Sequence, residues 1–144
     1  MIRKSIVVLT CGYPPLSVAL RQAGYIVSSC VHAQEMMDVL KRSEEAPSAV
    51  LFTTRIPTGR LEFEKLEIHT LSTGEDFYYK LRKEVSVRMP IVILAENSAQ
   101  MQGFHRVEDT RLFLYHKDAI HINQVVENLT SVLRPHSRAP VTPR

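Results

Sequence analysis

The groups in this chain that can do chemistry are two thiols, six imidazoles and a lysine behind an apolar run. Cys11 and Cys30 are too few for a disulfide framework or a thiolate zinc site. If they meet they can form one redox bond; otherwise they are two small buried thiols in a reducing compartment. His32, His69, His105, His116, His121 and His136 include no HxxxH pair, so no metal centre is expected. There is no Ser-His-Asp order, no G-x-S-x-G and no Walker motif. CGYPP (11–15), one glycine before two prolines, is a weak phosphate cradle. The pattern predicts neither an enzyme nor a resident cofactor. Lys117 is placed either to hold an anion or to pair with a neighbouring carboxylate.

Alternating strands and helices must position these groups. SIVVLT (5–10), YIVSSC (25–30), AVLFT (49–53), IVILA (91–95) and LFLYH (112–116) are short apolar runs, as in strands covered on both faces. Helical patterns fall between them. Pro14 and Pro15 suit a start, with Leu16, Ala19, Leu20 and Ala23 on one side and Gly24 as a stop. A second helix at 33–43 carries Met36, Met37 and Leu40, and a third at 75–87 carries Phe77, Tyr78 and Leu81. A weak helix at 98–109 contains Gly103. In the last, at 118–133, Asp118 can cap, and Ile122, Val125, Val126, Leu129, Val132 and Leu133 form an apolar stripe. Five strands with intervening helices and right-handed crossovers predict a doubly wound α/β domain over residues 1–134.

The 144 residues suffice for one domain, and 44% hydrophobic with 23% charged residues is ordinary for a globular chain. No apolar run approaches the ~20 residues needed to cross a bilayer. The basic start and its short apolar run lack a small-residue cleavage site, so they read as a strand and not an export signal; a cytoplasmic location is expected. Part of the net charge of +3 comes from RPHSRAPVTPR (134–144), with three arginines, three prolines and no acid. Residues 135–144 read as a disordered basic tail, a solubilising end or a linker, without the aromatics and dense Lys/Arg of a nucleic-acid arm.

Taken in order, these pieces resemble the receiver domain of bacterial response regulators. GYIVSSCVHAQEMMDVL (24–40) is similar to that family's second strand and helix, and AVLFTTRIP (49–57) to its third strand and Arg-x-Pro exit. MPIVILAEN (89–97) is similar to the fourth strand, and FLYHKD (113–118) to the fifth, ending in the family's lysine. The resemblance implies a flavodoxin-like, doubly wound parallel five-stranded sheet of order 2-1-3-4-5 with helices on both faces. It also implies where phosphoryl chemistry would sit, and there the chain departs. The acidic pair that would hold Mg²⁺ is Thr10 and Cys11, and the phosphate-accepting aspartate is Thr53. The hydroxyl residue ending the fourth strand is Ala95, the aromatic switch is Leu114, and the proline after the lysine is Asp118. Only Lys117 is kept. Mg²⁺ wants carboxylate oxygens, and a threonine hydroxyl without a base is a poor nucleophile.

An insertion at 58–73 separates Pro57 from Gly74 and follows the Thr53 strand directly, so it is expected over the degenerate pocket. RLEFEKLEIH alternates Leu61/Phe63 and Leu66/Ile68 with charges, a half-buried extended pattern. It is either a surface loop freed from constraint or a lid or strand that plugs the pocket or offers an edge. The resemblance points to a pseudo-receiver, a phosphorylation-independent protein-interaction module in bacterial signal transduction. Its partners would be signalling proteins, or a second copy, at the face of the fourth helix, fifth strand and last helix, where Leu112, Leu114, Asn123 and Glu127 fall. Two alternatives stay open: a small-molecule or nucleotide sensor around Thr10, Thr53 and Lys117, and a response regulator phosphorylated unconventionally at Thr53. Neither a membrane nor a nucleic-acid partner is expected.

Overall fold

Apolar runs rich in Val, Ile and Leu suit a parallel sheet, because helices cover both of its faces. The computed structural model describes residues 4–9, 14–42, 47–63, 70–86, 88–118 and 121–133. Five runs form strands there: β1 (Ser5–Leu9), β2 (Ile26–Ser29), β3 (Ala49–Thr53), β4 (Ile91–Ala95) and β5 (Leu112–His116). All pair in parallel, in the order β2-β1-β3-β4-β5. The connecting helices are α1 (Pro14–Gln22), α2 (Ala33–Arg42), α3 (Thr73–Glu84), α4 (Ser98–Gln102) and α5 (Ile122–Val132). The doubly wound flavodoxin-like sheet expected from the sequence is the one found. No helix among the described residues is long and apolar enough to cross a membrane.

The period-two alternation of the strands sorts the core into two layers. Val7, Leu9, Val50, Phe52, Ile91 and Ile93 face α2 and α3, packing on Met36, Met37, Phe77 and Leu81. Ile6, Val8, Ala49, Leu51, Val92 and Leu94 face α1 and α5, packing on Leu16, Leu20, Val125 and Leu129. Phe52 and Phe77 meet at 5.2 Å between ring centroids, which joins β3 to α3 at the centre of the first layer.

Several boundaries differ from the sequence reading. The two edge strands are not covered like the central three: Ile26 of β2 is half exposed, and β5 is only half-buried along its length. Helix α3 begins two residues earlier than predicted, because Ser72 caps it by accepting from the Glu75 amide at 3.1 Å, and it ends at Glu84. Helix α4 is shorter than 98–109; Asn97 caps it and it stops before Gly103, where only turns follow. Asp118 does not cap α5. His121 does, its Nδ1 accepting from the Asn123 amide at 3.2 Å, while the Asp118 amide turns back onto His116 Nδ1. Thr10, Cys11 and the predicted tail at 135–144 lie outside the described residues.

Candidate functional site at the C-terminal edge of the sheet

In a doubly wound sheet, ligand chemistry gathers outside the C-terminal strand ends. The topology brings three of the expected positions together there. Thr53 ends β3, Ala95 ends the adjacent β4, and Lys117 follows β5, its amide donating to the Ala95 carbonyl at 2.8 Å. Strand β1 ends at Leu9, opposite Phe52; Thr10 and Cys11 lie outside the described residues.

Thr53 does not present a free hydroxyl. It is 1% exposed, and its Oγ1 donates to the Arg55 carbonyl at 2.9 Å. Ala95, fully buried, offers no polar side chain. Thr54, also fully buried, does most of the bonding at this edge: its Oγ1 donates to Gln100 Oε1 on α4 and accepts from the Glu96 amide at 3.0 Å. Its carbonyl accepts from the Gly74 amide at 2.8 Å. A Cβ on Gly74 would lie 2.6 Å from Thr54 Cα and 2.7 Å from the Thr53 carbonyl oxygen, so α3 meets β3 through backbone alone.

The insertion is fastened at both ends. Thr73 Oγ1 accepts from the Ile56 amide at 3.1 Å, so the chain leaves and re-enters at one point. The Pro57 and Thr58 carbonyls accept from the Ala33 and Gln34 amides at 2.8 and 3.2 Å, occupying first-turn donors of α2. His32 Nδ1 accepts from the Glu35 amide and Glu35 Oε1 from the Val31 amide, a reciprocal cap at that helix start. Leu61 and Phe63 pack half-buried on the first core layer with Glu62 exposed between them, and Phe63 lies 6.4 Å from the Phe77 ring. The described part of the insertion therefore lies on α2 and the core; Leu66 and Ile68 fall outside the described residues.

Two other readings meet specific geometry. Cys30 is buried and free, and desolvation, with the Glu35 charge behind it, pushes its thiol up to about 11, so it is a poor nucleophile. Leu112 and Leu114 are half-buried against the α2–α3 layer, whereas Phe113 and Tyr115 lie under α5. They thus sit on the opposite face of the sheet from Asn123 and Glu127, which are exposed on α5. Among the described residues, no group of three His, Cys, Asp or Glu side chains is placed to hold a metal ion.

Sequence reasoning passed over Thr54, Thr73, Gln100 and Glu75. The TT pair at 53–54 held a signal, because period-two alternation turns one of two adjacent threonines away from the other. Glu75 had none: an acid in a first helical turn reads as an exposed partner of the helix dipole, yet it is fully buried.

No protein-family model matches the chain, and no curated protein matches it. Solved structures do. The receiver domain of a sensor histidine kinase from Pseudomonas aeruginosa, with magnesium coordinated in its active-site cleft, is 16% identical with a TM-score of 0.66, covering 92% of this chain and 98% of that one. A response regulator receiver protein from Pseudomonas putida is 14% identical with the same TM-score and the same coverage of both chains. A CheY-like receiver domain protein from Methanospirillum hungatei is 13% identical with a TM-score of 0.64, covering 92% and 94%. The fold of this chain is that of the response-regulator receiver domain.

Proposed function

We propose that the chain is a pseudo-receiver: a non-catalytic module of two-component signal transduction that docks a protein partner without being phosphorylated. The observation that carries the reading is Thr53, whose hydroxyl at the β3 terminus is buried and donates to the Arg55 carbonyl. A receiver needs a carboxylate here, as acceptor and as metal ligand. The residues present do not fit Mg²⁺: Thr10, Cys11 and Thr53 supply two hydroxyls and a soft thiol where a hard cation requires carboxylate oxygens. Ala95 has no hydroxyl to follow a phosphoryl group, and Thr54 already holds Gln100 of α4. The docking surface is therefore pre-set and is not selected from two populated states. We place it on the β5 edge with α4 and α5, where Asn123 and Glu127 are exposed, and its occupant is a signalling protein or a second copy.

Incubation with acetyl phosphate and Mg²⁺, followed by intact-mass measurement, tests the reading. The mass should stay unchanged. A stable phosphoryl adduct mapping to Thr53 would overturn it in favour of unconventional phosphorylation.

A further inference from the structure

Glu75 is the only ionisable side chain among the buried polar residues of the described chain, with 0% exposure. Its Oε1 accepts from the Leu71 amide at 2.8 Å, but its Oε2 is buried with no hydrogen-bond partner among the described residues. Buried polar atoms are paired in the great majority of cases, so an orphan of this kind needs a reason. Burial with one oxygen unpaired disfavours the carboxylate relative to the neutral acid. Desolvation raises the Glu75 carboxyl above the ordinary glutamate range; the Leu71 amide opposes this, and the Asp76 charge adds to it.

The turn that ends α4 rests directly on this group. A Cβ on Gly103 would stand 2.2 Å from Glu75 Oε1 and 2.9 Å from its Cδ. Among the described residues, the charged or titratable groups facing Glu75 are Asp76 and the Tyr79 phenol, both on α3. The preceding loop contributes the uncharged Leu71 amide, and the α4 side contributes Gly103. An added negative charge therefore meets the Asp76 charge and a glycine seated against it.

We propose that Glu75 is a proton-operated seat for α4. As the neutral acid it lets the Gly103 turn rest on α3; when its proton leaves to solvent, Oε2 draws in water and the turn lifts. Because the folded chain raises this carboxyl, the seated arrangement is fully present below the ordinary glutamate value. It is lost as pH rises through the folded value. The inference concerns α4 alone and holds whether or not a partner docks there.

The test is an NMR titration of the full chain, following glutamate side-chain carboxyl carbons together with the amides of Ser98–Gln102 and Gly103, for the wild type and Glu75→Gln. The Glu75 carbon should titrate above the other glutamates, with the α4 and Gly103 amides moving at the same midpoint. In Glu75→Gln those amide shifts should vanish. A Glu75 carbon titrating with the other glutamates, or amide titration unchanged in Glu75→Gln, overturns the proposal. Should Glu75→Gln fail to fold, the wild-type titration decides alone: amide and carbon midpoints that coincide support the seat, and amides that stay still overturn it.

Discussion

The Thr54 hydroxyl donates to Gln100 Oε1 and accepts from the Glu96 amide at 3.0 Å, so the end of β3 holds the start of α4 directly. Thr54 itself is fully buried, while Gln100 and Glu96 are half-buried. Thr54→Val keeps the shape but removes the hydroxyl, leaving the Glu96 amide only its longer bond to Gln100 Oε1 at 3.3 Å. The variant should lose about 0.5–1.5 kcal/mol in urea unfolding, the net worth of an ordinary hydrogen bond. Hydrogen exchange in α4 should quicken, whereas Thr54→Ser should behave as wild type. Unchanged stability together with unchanged α4 protection in Thr54→Val would remove the latch.

Arg82 and Asp109 tie the stability of the fold to pH. Their ion pair is 2.8 Å long, with the side chains only 12% and 14% exposed, and the Tyr78 hydroxyl donates to the same carboxylate oxygen. Arg82 also reaches the Ser86, Met89 and Arg111 carbonyls, tying α3 to the entries of β4 and β5. Burial works to raise the Asp109 carboxyl, but bonds from Tyr78, the Arg111 amide and Arg82 outweigh it and lower it below the ordinary aspartate value of 3.8. A lowered carboxyl stabilises the fold above that ordinary value, and the contribution is lost as pH falls through the folded value. Asp109→Asn should cost about 1.5–3 kcal/mol near neutral pH, the range for hydrogen bonds to charged groups. The difference from wild type should shrink in unfolding curves taken below pH 3.8. A difference that does not change with pH would show that the pair has no such role.

Asn123 and Glu127 sit on the exposed side of α5, away from the Val125, Val126 and Leu129 stripe. Asn123→Arg and Glu127→Arg should leave unfolding free energy within about 0.5 kcal/mol of wild type, as exposed substitutions do. They should weaken self-association in analytical ultracentrifugation, or capture of the signalling partner in a quantitative pull-down. Association unchanged in both assays would move the docking surface elsewhere.

The fold was legible because its signal is redundant. AVLFT and IVILA are runs that a strand covered on both faces accounts for, and both are fully buried, whereas LFLYH forms a half-buried edge; strands separated by helices leave few topologies. The local ends were less legible. His121 replaced Asp118 as the α5 cap because either side chain can accept from a first-turn amide, and the path of the chain after β5 decides which one reaches. At the site, the missing carboxylates could be read from Thr10, Cys11 and Thr53 as residue types, since charge belongs to a residue wherever it sits.

The sequence by itself determined the parallel sheet and the residue types that close its strands, since periodicity and residue type are properties of the chain. Tertiary structure alone decided where the remaining polar atoms turned. It directed Thr53 to Arg55, Thr54 to Gln100, the insertion's carbonyls to α2, and Glu75 into a dry space beneath Gly103. Burial and hydrogen-bond partners come from segments far apart in sequence, and no local pattern encodes which of them will meet.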